Sequence, residues 1–228
     1  MNAAVLTVGD ELLAGRTTNT NATWLCTRLS ARGVSVERVT TVPDRIEDIV
    51  GTVEEYRQAY DAVVVTGGLG PTHDDVTMAA VATAFGRDLE EHADALAWLA
   101  DDGYSRADLT DGTADLPRGA RAIHNEVGVA PGAVLENVYV LPGVPSEMKA
   151  MFESVASEFT GTTTYREEIV VDEPESALLD RIAAVRERFD VTVGSYPGGS
   201  VRLVLECPDE VTLEEATAWL RERVDEAE

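Results

Sequence analysis

A run of valines at 63–65 ends at Thr66 and passes at once into Gly67, Gly68 and Gly70, after which helix-forming sequence begins beyond Thr72. An apolar β-branched run that stops in glycines leaves the chain few options. It predicts a short strand buried on both faces, whose end delivers several backbone N–H groups to the start of a helix. Such a junction gathers partial positive charge from the helix dipole and suits a phosphate or carboxylate. Two carboxylates, Asp74 and Asp75, follow the loop. Beside a phosphate they are tolerable mainly when a divalent cation such as Mg2+, Mn2+ or Co2+ stands between. The competing reading is local: Thr72 with Asp75 three residues on has the spacing of a capping box, and acids in a first helical turn satisfy the dipole with no ligand. Three glycines and two acids at one strand end exceed what a turn requires, which favours a site.

The surrounding sequence alternates strand and helix. Residues 3–8 read as a strand, 22–32 as a helix with apolar positions at Ala22, Leu25, Cys26 and Leu29, 34–42 as a strand, 44–59 as a helix, 62–66 as a strand and 75–85 as a helix stopped by Gly86. This is the pattern of an α/β fold with a parallel sheet covered by helices on both faces. Farther on, 88–101 reads as an acidic helix, 102–119 as a polar, turn-rich excursion and 120–135 as a hairpin-like element. The segment 138–149, V-Y-V-L-P-G-V-P-S-E-M-K, repeats the theme of strand, loop and helix start, with Ser146 as the N-cap of a helix running to about 158. After 160 the character changes: strands at 165–171, 191–196 and 201–206 with helices at 174–188 and from 212 predict a separate α+β unit. The expected domains are 1–163 and 164–228.

In parallel sheets ligands bind at the carboxyl ends of the strands, so the loops at 9–21, 66–75 and 142–149 are expected to share one edge. They bring acids (Asp10, Glu11, Asp74, Asp75), amides (Asn19, Asn21), glycine N–H groups and one cation, Lys149. A pyrophosphate with a bound metal would use all of these. Asp10, Asp74 and Asp75 would hold the ion, and the amides of Gly67, Gly68 and Gly70 with Lys149 would take phosphate oxygens. Gly9, Asn19, Asn21, Thr66, Thr72, His73, Pro145, Ser146 and Glu147 would bind the substrate, and a metal-bound water would attack phosphorus. No G-x-x-x-x-G-K-[ST] is present, and His73 occupies the third glycine position of a dinucleotide fingerprint.

Composition excludes some classes. The formal net charge of -24 over 228 residues disfavours nucleic-acid binding by a basic face. The acids are scattered, Lys149 is the only lysine, and every other basic residue but histidine is arginine. Acid-rich, lysine-poor surfaces resemble those of proteins from salt-loving archaea, where molar salt screens the self-repulsion. Cys26 and Cys207 stand alone, as reduced thiols do, and no stretch approaches ~20 apolar residues, so a soluble, cytoplasmic protein is expected. His92 and His124 read as structural, Trp24 and Trp98 as core, and Tyr196 and Arg202 as side chains that could close over a ligand.

T-G-G-L-G-P-T-H-D-D-V-T, G-D-E-L-L-x-G and L-P-G-V-P-S-E-M-K closely resemble the N-terminal domain of the competence/damage-inducible CinA family, within the molybdopterin-binding (MoaB/MogA-like) superfamily. N-E-V-G-V-A-P-G resembles the family's segment before its hairpin, with Glu126 where a proline is usual, and G-S-Y-P-G-G-S-V-R-L resembles its small KH-like subdomain. The resemblance implies a three-layer α/β/α fold. It also implies either divalent-metal-dependent hydrolysis of ADP-ribose or related dinucleotides such as FAD, or binding of a molybdopterin-type ligand. The leading expectation is the pyrophosphatase, with Asp74, Asp75 and Lys149 catalytic; the alternatives are pterin or nucleotide binding without hydrolysis, and adenylyl transfer to molybdopterin. By analogy it suggests a homo-oligomer, dimer or trimer. Bacterial members carry a C-terminal amidase domain that this sequence does not contain, and the KH-like part lacks a G-x-x-G loop, which argues against RNA binding.

Overall fold

The computed structural model describes residues 1–70, 72, 75–105 and 109–227. It divides into two compact units, Met1–Gly161 and Thr162–Glu228. In the first, the chain runs β1 (Asn2–Val8), α1 (Asp10–Leu13), α2 (Thr20–Ser30), β2 (Ser35–Val42), α3 (Ile46–Ala59), β3 (Ala62–Thr66) and α4 (Thr77–Ala84). It continues through β4 (Leu89–Glu91), α5 (Ala93–Asp101), β5 (Asp115–Pro117), β6 (Arg121–Ile123), β7 (Gly132–Leu135), β8 (Val138–Leu141) and α6 (Pro145–Val155).

Six strands form one sheet in the order β2-β1-β3-β8-β7-β6. β1 is parallel to β2 and β3, and β3 to β8, while β7 runs antiparallel to both β8 and β6. Side-chain alternation splits the apolar residues of each strand between two layers. Leu6, Val8, Val63, Val65, Val138 and Val140 face α3, α4 and α5, meeting Ile49, Val53, Val81 and Leu99. Val5, Val64, Tyr139 and Leu141 face α2 and α6, meeting Leu25, Leu29, Met148 and Phe152. A strand apolar on both faces has to be covered twice, and the valine run of β3, buried throughout, sits near the centre of the sandwich. The result is a three-layer α/β/α fold with a mostly parallel sheet.

β1 lies between β2 and β3, so the chain leaves β1 to one side and returns to the other. That reversal opens a crevice at the carboxyl ends of β1 and β3, where such sheets take ligands. Thr7 and Thr66 pair in register at its mouth.

Three local expectations need correction. Residues 88–101 are not one helix: β4 pairs antiparallel with β5, Leu89 opposite Pro117, and His92 N–H donates to Ala114 O, so only α5 is helical. Pairing across more than twenty residues overrides the local helical pattern, and it also gives the turn-rich excursion a strand of its own. The helix after the glycine loop begins at Thr77, not 75, because Thr77 N–H is taken by Gly68 O and Asp75 is engaged with Thr72. α6 begins at Pro145 with Val144 at the N-cap, which leaves Ser146 inside the first turn with no capping bond. Proline's fixed φ and missing N–H suit the first helical position and move the N-cap two residues earlier, from Ser146 to Val144. The helix ends at Val155, and a 3-10 turn at Ala156–Glu158 follows.

The second unit comprises β9 (Tyr165–Val171), α7 (Glu175–Phe189), β10 (Thr192–Pro197), β11 (Val201–Cys207) and α8 (Glu210–Arg221). Its antiparallel sheet, in the order β10-β11-β9, packs Ile169, Val171, Leu203 and Leu205 against Leu178, Val185, Leu213 and Leu220 of the helices. Asp209 caps α8 by accepting from Thr212 N–H at 2.9 Å.

Candidate functional site

The glycine loop is held flush against the ends of three strands. Gly67 has φ +110, and a Cβ on it would lie 2.2 Å from Val8 O; Gly68 has φ +65, and a Cβ there would lie 2.4 Å from Thr77 Oγ1. Both conformation and space therefore require glycine. Gly67 N–H donates to Leu141 O at 3.2 Å, and the buried Thr66 hydroxyl donates to Pro142 O at 2.6 Å. On the far side, Gly68 O accepts from Thr77 N at 3.2 Å, joining the loop to the first residue of α4, whose N-cap, Val76, supplies no side-chain cap. The Asp75 carboxylate accepts from Thr72 N–H at 3.0 Å and from Thr72 Oγ1 at 2.5 Å. The capping-box partners are the expected ones, but they close a turn ahead of the helix.

Two cavities flank this loop. The larger, about 450 Å³, is bounded by Gly68, Gly70, Thr72 and Asp75, by Met78 of α4, by Leu89 and Leu116 of the β4–β5 pair, and by residues 109–113 and 129–131. The smaller, about 100 Å³, lies among Asn19, Asn21, Thr66, Gly67, Gly143 and Pro145, with Glu11 at its wall. Asn19 caps α2 through Ala22 N–H (3.1 Å) and donates to Thr7 Oγ1 (2.9 Å). Asn21 donates to Thr66 Oγ1 (3.2 Å) and Gly143 O (2.8 Å), and its buried Oδ1 has no hydrogen-bond partner. The two amides thus tie the strand ends together as well as lining a hollow.

The residues expected to form one site are distributed. Asn19, Asn21, Thr66, Gly67 and Pro145 line the small cavity, and Gly68, Gly70, Thr72 and Asp75 the large one. Gly9 is the N-cap of α1, and Asp10, its first residue, donates its N–H to Asp44 Oδ2 at 2.8 Å. Ser146, Glu147 and Lys149 sit on α6 and line neither cavity. Glu147 accepts from Asn125 Nδ2 at 2.7 Å, and Lys149 Nζ stands 5.8 Å from the Trp24 ring centroid. His73 and Asp74 fall outside the described residues. Among the described residues no group of three or more His, Cys, Asp or Glu side chains converges to hold a metal ion. Of the acids expected to hold an ion, Asp10 and Asp75 are described: Asp75 lines the large cavity and Asp10 lines neither.

Two residues that the sequence reading passed over organise the site. Asp44, just beyond β2, reaches the start of α1, and its Oδ1 lies 3.6 Å from where a Gly68 Cβ would stand; its only sequence signal is an acid after a strand. Asn125, 3% exposed, donates to Ala130 O and Glu147 Oε2 and accepts from Val127 N–H and Gly128 N–H. It thereby fixes the 125–130 loop that forms one wall of the large cavity. It opens the N-E-V-G-V-A-P-G segment, where its role was legible only as part of a motif. His124, for its part, bonds Asp102 at 3.1 Å and stacks on Trp98 at 4.9 Å.

A doubly covered, mostly parallel sheet, with a small hollow at its switch point and a ligand-sized cavity beside the glycine loop, is the architecture of α/β domains that take small molecules at the strand ends. Residues 4–162 match the family described as the probable molybdopterin binding domain, and the chain belongs to that family. Residues 163–228 match the middle domain of FAD synthase. A protein of Aeropyrum pernix is 45% identical over 213 residues, covering 87% of this chain and 80% of the relative. One from Pyrococcus furiosus is 36% identical over 98% of this chain and 97% of its own length. Among solved structures, the protein CinA of unknown function from Thermoplasma acidophilum is 41% identical with a TM-score of 0.65, covering 69% of this chain and 97% of that one. No helix among the described residues is long and apolar enough to cross a membrane.

Proposed function

We propose that the chain binds a phosphorylated pterin or nucleotide, with its phosphate against the Gly68 and Gly70 amides beside the start of α4 and its ring in the adjoining cavity. The observation that carries this reading is the cavity of about 450 Å³ opening on the glycine loop, a volume within the range of small-molecule sites. Membership of a molybdopterin-binding family supports the pterin. In this reading Gly68 lets the backbone approach the phosphate while Gly67 seats the loop on Val8 and Leu141, Asn125 holds the opposite wall, and Thr72 with Asp75 form the rim. Isothermal titration with a pterin monophosphate and with nucleoside monophosphates tests it: Gly68→Ala should weaken binding at least tenfold. Equal binding by the variant would remove the glycine loop from the site.

A second reading is that the same site hydrolyses the pyrophosphate of ADP-ribose or a related dinucleotide with a divalent cation. The Asp75 carboxylate at the cavity rim, adjacent in sequence to Asp74, favours it. Incubation with ADP-ribose, FAD and Mg2+ followed by chromatography decides: AMP released by the intact chain and not by Asp75→Ala supports hydrolysis, and no product from any dinucleotide leaves binding alone. We propose further that the net charge of -24 suits the chain to molar salt.

A further inference from the structure

The large cavity is an unusual place to lodge an anion. Among its described lining residues the ionisable side chains are Asp75, Asp111, Asp115 and Tyr104, and none is basic. Two of the three carboxylates have evident roles or settings: Asp75 closes the turn with Thr72, and Asp111 is exposed on a loop. Asp115 is different. It is half-buried at the start of β5, and its carboxylate makes no ion pair or side-chain hydrogen bond with a described residue. It stands directly opposite Glu91 across the β4–β5 ladder, and two acids facing each other weaken a strand pair. Its position is nevertheless well fixed, since Asp115 N–H donates to Gly112 O at 2.9 Å and Thr113 N–H to Thr110 O at 3.1 Å. A preorganised carboxylate, unengaged beside apolar walls such as Leu116 and Met78, lacks the donors that normally accompany a buried charge.

Resting on the binding reading above, we propose that Asp115 is the specificity-determining residue of the site, and that it selects a ring with a 2-amino-4-oxopyrimidine edge. That edge presents a ring N–H and an exocyclic NH2 side by side, both donors, matching the two acceptor oxygens of an ionised carboxylate. Pterins and guanine carry it. Adenine offers a ring-nitrogen lone pair beside its amine, and a flavin offers one N–H between two carbonyls, so each would set an acceptor against the carboxylate. A site that hydrogen-bonds a specific group rejects analogues lacking it because its own polar atoms are left unpaired. The phosphate stays outside the acid-lined hollow, at the glycine amides.

The test compares matched pairs on the full-length chain by equilibrium dialysis. The pairs are GMP against IMP, which lacks only the 2-amino group, and a pterin monophosphate against its 2-oxo counterpart, a lumazine monophosphate, with AMP as a further probe. At least tenfold tighter binding of the 2-amino member in either pair is expected, and the pair that shows it identifies the source of the ring. Asp115→Asn, checked for an unchanged melting temperature, should abolish that preference, whereas Asp111→Asn should keep it. Binding with equal affinity of the two members within both pairs overturns this proposal alone. Failure of all five ligands to bind overturns the binding reading and this proposal with it. The comparison within the wild-type chain stands even if the Asp115 variant does not fold.

Discussion

Gly67 has room for a hydrogen and nothing more. Its φ of +110 and the 2.2 Å that would separate a Cβ from Val8 O act together, so Gly67→Ala combines backbone strain with overlap against a main-chain atom that cannot rotate away. A loss of about 3 kcal/mol is expected, measured as a lower urea midpoint at unchanged slope. Asn125 makes a different kind of demand. Both its amide protons and both its oxygen lone pairs are engaged, three bonds going to the loop it holds and one to Glu147, so Asn125→Ala takes this partner from the Val127 and Gly128 N–H groups, the Ala130 carbonyl and the Glu147 carboxylate. It should cost about 2 kcal/mol and weaken ligand binding as the cavity wall loosens. The glycines could be read in the sequence because their chemistry is local. Asn125 could not, because what it holds is visible only once the 125–130 loop lies against α6. Asp44 was missed for the same reason: its partner, Asp10, is thirty-four residues earlier.

At the scale of elements, burial and pairing decide. Phe152 of α6 is fully buried, stacked on Phe159 at 5.2 Å and edge-on to Trp24 at 5.6 Å, so Phe152→Ala should cost about 3–5 kcal/mol of stability. The second unit is tied by carboxylates. Arg181, donating to both oxygens of Glu173, holds that carboxyl below its ordinary range, and the Thr212 hydroxyl and N–H do the same for Asp209. Groups depressed in the folded state stabilise it above the ordinary carboxylate range, and that contribution is lost as pH falls through their lowered values. Circular dichroism against pH should therefore show stability declining on acidification, with Glu173→Gln flattening the decline. The opposite limb is alkaline. Burial and the hydrogen bond to Glu158 push the Tyr139 phenol up to about 12, so the folded state keeps a proton the unfolded chain releases from about pH 10. Stability should then fall as pH rises through that window, less so in Tyr139→Phe. Elements whose signal is continuous, such as β3 and β9, were legible to the residue. The β4–β5 pair was not, since a three-residue strand acquires its identity only from a partner found after a long excursion, and α6 begins two residues early because Pro145 takes its first helical position.

The whole molecule carries 42 acids against 18 lysines and arginines. If self-repulsion governs its tolerance of dilute buffer, the melting temperature should rise steadily between 0.1 and 3 M KCl, a range over which the Debye length falls from about 10 Å to under 3 Å. A flat response would mean that the charges are already neutralised pairwise. The cavities, the glycine loop and the sheet belong to Met1–Gly161. At this scale the sequence revealed the α/β architecture through its alternation, while the division of the expected site between two hollows emerged only from the packing of segments distant in the chain.

The glycine loop is made early and completed late. Gly67 and Thr66 are anchored to Leu141 and Pro142, more than seventy residues downstream. A growing polypeptide that has exposed its glycines to the cell still lacks the strand they lean on. Until β8 has cleared the ribosome, the glycine loop lacks the Leu141 and Pro142 carbonyls that anchor it. At ~5–20 residues per second, that interval lasts seconds, and during it the central valines of β3 have one neighbour where they will later have two.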